Sequence, residues 1–132
     1  MKRTAQVPLA DQPAANPDRG EHELVLAGTT YRLRPSHQAL RQIEQRTERS
    51  VLALIRLGNG GELSLDQLGV VASELIRAGA EDELTRQVDS GRIGELIFEE
   101  GLTSAQSRLT LCLLDAAMGG RTAEGNVKAA TA

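Results

Sequence analysis

The stretch Glu21-His22-Glu23-Leu24-Val25-Leu26-Ala27-Gly28-Thr29-Thr30-Tyr31-Arg32-Leu33-Arg34 decides the class of fold. Two short runs rich in strand-forming residues flank a glycine, and their alternation puts apolar side chains on one side of each run. With Gly28-Thr29 as a two-residue turn, Gly28 supplies the positive φ of a type II′ hairpin. Leu26 then faces Tyr31 and Leu24 faces Leu33 on one side of the ribbon. Glu23 faces Arg34 and Val25 faces Arg32 on the other, where opposite charges oppose each other. An isolated hairpin is marginal in water, so its apolar side must rest on helices.

From Pro35 onward the signals are helical. Ser36 is an N-cap for a helix through about Thr47, with Leu40 and Ile43 on one face. Ser50 precedes Val51-Leu52-Ala53-Leu54-Ile55-Arg56-Leu57, which Gly58-Asn59-Gly60-Gly61 stops. Ser64-Leu65-Asp66-Gln67 reads as a capping box, and Leu65, Leu68, Val71, Ala72, Leu75 and Ile76 make the stripe of a helix that ends at Gly79. The more polar Glu81–Asp89 adds a short helix, Ser90-Gly91 breaks it, and Ile93 to Glu100 resumes with Gly101 as C-cap. Thr103-Ser104-Ala105-Gln106 reads as a second capping box before a stripe of Leu109, Cys112, Leu113, Ala116 and Ala117. The expected class is α+β, mainly α: an N-terminal β-hairpin followed by about four or five short helices. Residues 1–20, with Pro8, Pro13 and Pro17, read as a flexible leader, 21–118 as a single globular domain, and 119–132 as a flexible tail.

Composition excludes several functions. The 132 residues carry 15 Lys+Arg against 18 Asp+Glu, with one Tyr, one Phe and no Trp. Such a chain lacks the basic patch and stacking platforms of nucleic-acid binders. The lone Cys112 forms no internal disulfide or cysteine-based zinc site. No apolar run reaches the length of a membrane span, and Met1–Pro8 lacks the apolar stretch of a secretory signal, so a cytoplasmic protein is expected.

Few residues are arranged for chemistry. The glycines of Gly58-Asn59-Gly60-Gly61 follow a helix rather than a strand and have no lysine beside them, so they read as a helix stop, not a phosphate cradle. Asp89-Ser90-Gly91-Arg92 fails as a calcium loop, because Arg86 and Ile97 would occupy its first and bidentate positions. His22 and His37 read as structural or surface residues. Glu81-Asp82-Glu83 and Glu99-Glu100 read as solvated surface. The expectation is a protein that is not an enzyme, with no cofactor and no metal. Two apolar clusters stand out instead. Six of the seven residues of Val51–Leu57 are apolar, as in a central helix or one partly exposed for a partner; burial is the favoured reading. Leu96-Ile97-Phe98 holds the only Phe, expected in the core; exposed, it would anchor an interface.

The order of these strings, from Glu21–Arg34 through Ala39-Leu40, Ile43-Glu44, Leu63-Ser64-Leu65-Asp66-Gln67-Leu68 and Leu75-Ile76-Arg77-Ala78-Gly79, resembles the tail assembly chaperone family of gene transfer agents and siphophage-like prophages. The resemblance covers about residues 20–118 and leaves the Pro-rich leader unexplained. It implies a non-enzymatic protein of the bacterial host cytoplasm that binds the tape measure protein, keeps it soluble and helps tail tube subunits assemble, with the tail tube protein as a second partner. Some such proteins are labelled tail tube proteins, so a structural tail component is the alternative; a small helical adaptor unrelated to tails is a third reading. Oligomeric state stays open, a homo-oligomer included. A helical client would lie in a groove to which Val51, Leu54, Ile55, Leu57, Leu96, Ile97 and Phe98 contribute.

Overall fold

The structure, a computed structural model, describes residues 22–128. The elements run β1 (His22–Leu26), β2 (Thr29–Leu33), α1 (His37–Thr47), α2 (Val51–Asn59), α3 (Leu65–Gly79), α4 (Glu83–Arg86), α5 (Ser90–Glu100) and α6 (Leu102–Ala117). The α+β, mainly-α class holds, with six helices among the described residues; the short helix expected within Glu81–Asp89 is the single turn Glu83–Arg86. The leader, residues 1–20, lies outside the described residues.

The hairpin keeps its expected faces but not its expected register. The observed pairs are Glu23 with Arg32, Leu24 with Tyr31, Val25 with Thr30 and Leu26 with Thr29. Ala27 and Gly28 form the turn, both at positive φ (51° and 79°), the sign a type I′ hairpin needs at its two central residues. The pairing therefore slides by two residues. A slip of two preserves the side of every residue, so Leu24, Leu26 and Leu33 are still buried together.

Helix α3 occupies the middle of the domain, against β2, α1, α4, α5 and α6. The central place expected for Val51–Leu57 belongs to α3 instead. Its stripe of Leu68, Val71, Ala72, Leu75 and Ile76 is fully buried, and Gly69 and Gly79 let neighbours approach its backbone. A Cβ at Gly79 would collide with the main-chain carbonyl of Arg32. The Arg32 guanidinium in turn donates to the Gly79 carbonyl (3.1 and 3.2 Å) and pairs with Glu81, and Arg34 N–H donates to the Leu75 carbonyl (3.1 Å). Gly79 is thus required by the closeness of the hairpin. The buried Glu74 accepts from Arg46 of α1 (2.8 Å) and from Arg77 (3.0 Å), while Arg46 also donates to Ser90 at the start of α5 (2.7 Å).

Local caps explain the helix ends. Ser36, Ser50 and Ser64 each accept from the backbone N–H three residues on, and Gln67 completes the capping box with Ser64. Asp89 caps α5, so Ser90-Gly91 opens a helix rather than breaking one. The expected box at Thr103–Gln106 is absent: α6 starts at Leu102 without a side-chain cap. Gln106 is buried and instead accepts from the Leu63 N–H, tying α6 to the loop before α3.

Residues 119–128, expected in the flexible tail, fold back on the domain. Arg121 bridges to Val127, the His37 N–H donates to the Ala123 carbonyl (2.7 Å), and Gly125 packs on Pro35 and Ser36. The Arg121 guanidinium reaches Asp115 of α6 and the Gly125 carbonyl. Asp115 also accepts from the His22 ring (3.0 Å), and these two partners, His22 first, hold its carboxyl below the usual carboxylate range. Hydrogen bonds rather than an apolar stripe fix this loop, which is why its small polar composition read as tail.

Gly79→Ala is expected to lower the unfolding free energy by about 1–3 kcal/mol, because backbone rather than a side chain must give way. Gly60→Ala, where a Cβ meets its neighbours at 3.6 Å or more, should stay within about 0.5 kcal/mol of wild type. Urea titration of both variants checks this; equal losses would contradict the close approach at Gly79.

Candidate functional site: the groove between α3 and α5

The two apolar clusters singled out in the sequence divide between core and surface. On α2, Leu54 and Ile55 are buried, Val51 and Leu57 are half-buried against the core, and Leu52 is exposed. On α5, Leu96 and Ile97 are buried and Phe98 is 66% exposed. Helical geometry accounts for both results. Ile93, Leu96 and Ile97 fall at i, i+3 and i+4 and define the face turned to α3, while Phe98 lies a further 100° round the helix. Leu54, Ile55, Leu96 and Ile97 therefore belong to the core and cannot line a surface groove, and Phe98 is not the core residue it was expected to be.

Phe98 stands beside an open groove of about 740 Å³ between α3 and α5. Leu65, 40% exposed, and the half-buried Val70 line it from α3; Gly91 and Gly94 line it from α5, with Phe98 at its edge. Asp66, Glu95 and Glu99 rim it. Arg92, one turn before, pairs with Glu95 (3.0 Å). The groove owes its shape to a close helix crossing. A Cβ at Gly69 would sit 2.7 Å from the Ser90 carbonyl and 3.4 Å from the Cα of Gly94, so α3 and α5 meet nearly backbone to backbone there. Where the helices meet so closely, no side chain fills the angle between them. Leu65, expected in the apolar stripe of α3, is exposed at the groove instead, because it sits in the first turn of the helix; Glu99 had only the surface role expected of it, and nothing in the sequence singled out Val70 or Glu95. Gly94 and Phe98 at i and i+4 were the signal that would have found this face.

A second concavity, about 540 Å³, is lined by Arg34, Gln42, Glu74, Arg77 and Glu124, and Glu74 there is engaged by Arg46 and Arg77. Burial pushes the Cys112 thiol up to about 12, far from a reactive thiolate. Among the described residues no group of three or more His, Cys, Asp or Glu is placed to hold a metal ion, and no helix is long and apolar enough to cross a membrane. A second exposed apolar stripe, Leu111, Leu114 and Met118 at i, i+3 and i+7, runs along the end of α6. The chain matches no protein-family model, no curated protein and no solved structure.

Adjacent residues of α5 should respond unequally to truncation. Ile97→Ala is expected to cost about 2–5 kcal/mol of stability as a large-to-small change in the core. Phe98→Ala should change it by no more than about 0.5 kcal/mol. Chemical denaturation monitored by circular dichroism measures both; a large loss from Phe98→Ala would place its ring in the core.

Proposed function

We propose that this chain is a non-enzymatic assembly chaperone of the phage-tail type, acting in the bacterial cytoplasm to cover helical apolar surface on the tape measure protein while tail tube subunits assemble. The observation that carries the reading is the exposed Phe98 beside an apolar groove with an acidic rim. Exposed aromatic side chains on concave apolar surfaces are the usual anchors of protein interfaces, and a groove between two helices suits a third helix. The identity of the client rests on the resemblance over residues 20–118, not on the groove.

A structural tail component is the second reading, and the α6 stripe of Leu111, Leu114 and Met118 favours it, because a subunit fixed in a particle needs more than one interface. The two readings differ in what survives maturation.

Co-expression with a phage-type tape measure protein should move that protein into the soluble fraction and retain it on the tagged chain. Phe98→Asp should abolish retention while leaving the circular dichroism spectrum and unfolding midpoint unchanged. Peptide mass spectrometry of purified particles should find the chain scarce relative to tail tube protein. Stoichiometric presence would favour the structural component; failure to retain the tape measure protein would refute the chaperone reading.

A further inference from the structure

We infer that the α3–α5 groove seats a single amphipathic helix whose apolar stripe is flanked by Lys or Arg, with the backbone of that helix lying close over Gly94. The inference rests on the reading of the chain as a protein that covers a helical client, and it specifies the chemistry of what is covered.

Gly94 supplies the first argument. It lies inside α5, where glycine is disfavoured relative to alanine. A Cβ at Gly94 would meet its nearest neighbours, the Leu65 carbonyl and the Cα of Gly69, at 3.9 and 4.0 Å, which is ordinary contact. Its φ is not in the left-handed region. The contrast with Gly69 is direct, since a Cβ there would drive into the Ser90 carbonyl at 2.7 Å. Packing within the domain thus requires Gly69 and does not require Gly94. What Gly94 does is keep the groove floor free of a side chain, so that a second backbone can come near. The length of α5, 11 residues and about 16 Å, matches three turns of a docked helix.

Charge supplies the second argument. Asp66 on one wall and Glu95 and Glu99 on the other put carboxylates on both sides of the apolar strip, with Arg92 pairing only Glu95. A helix bearing Leu or Ile along one stripe and cations beside it satisfies both the strip and the rim, whereas an acidic helix meets like charge on either side.

The test uses the full chain and two fluorescein-labelled 18-residue helical peptides with the same Leu stripe, one flanked by Lys and one by Glu. The Lys-flanked peptide should bind saturably, with affinity falling as salt rises, and the Glu-flanked peptide at least tenfold more weakly. Gly94→Ala should raise the unfolding midpoint yet weaken the Lys-flanked peptide at least fivefold. Glu95→Lys with Glu99→Lys should invert the preference, and Leu111→Asp on α6 should leave it unchanged. Equal binding of the two peptides, binding of neither, or full affinity in Gly94→Ala would overturn the inference. Retention of the tape measure protein is scored separately. Discrimination between the peptides without that retention preserves the groove chemistry and refutes the client; retention that survives both groove variants refutes the groove as its seat.

Discussion

The domain depends on backbone coming close to α3 at two points. At Gly79 the carbonyl of Arg32 occupies the space a side chain would need, and at Gly69 the carbonyl of Ser90 does the same. The first contact seats the hairpin, which could not persist alone; the second brings α5 across α3 at backbone distance. Around these points the leucines and isoleucines of α1, α2, α5 and α6 close a core almost free of aromatic side chains. With so little aromatic bulk available, close approach through glycine substitutes for large side chains bridging wide gaps.

The same geometry that builds the core leaves the groove. Two helices crossing near glycines diverge on either side of the crossing, and on one side nothing from the rest of the described chain fills the angle. Phe98, Leu65 and Val70 line that space and three carboxylates edge it. The groove is therefore a consequence of the fold, and the part of it that packing does not dictate is Gly94. That separation between what the domain needs and what it tolerates distinguishes a docking floor from a packing defect.

Much of the fold was legible in the sequence, for identifiable reasons. The faces of the hairpin followed from alternation and survived an error in the turn, because Ala27-Gly28 in place of Gly28-Thr29 slides the pairing by two residues. The Ser36 and Ser64 caps and the α3 stripe followed from local chemistry. Long-range partners were invisible. Gln106 resembled the end of a capping box and instead serves Leu63, and the loop after Gly119 resembled a tail but is held to the domain by His37 and Asp115 and within itself by the Arg121–Gly125 bond. The site was half legible. Of the cluster Leu96-Ile97-Phe98 only Phe98 stands at the groove: taking three neighbours as one patch ignored the 100° between successive helical residues, which sends Ile97 inward and Phe98 outward.

The proposed seat of the client is the one face built on α3 and α5. Backbone and methyl chemical-shift mapping by NMR, with a client helix titrated into the labelled chain, tests it most directly. Perturbations are expected to concentrate at Leu65, Val70, Gly94 and the ring of Phe98, with Leu111 of α6 and Met118 at its end unmoved. Perturbations centred on α6, with Phe98 and Gly94 silent, would contradict it.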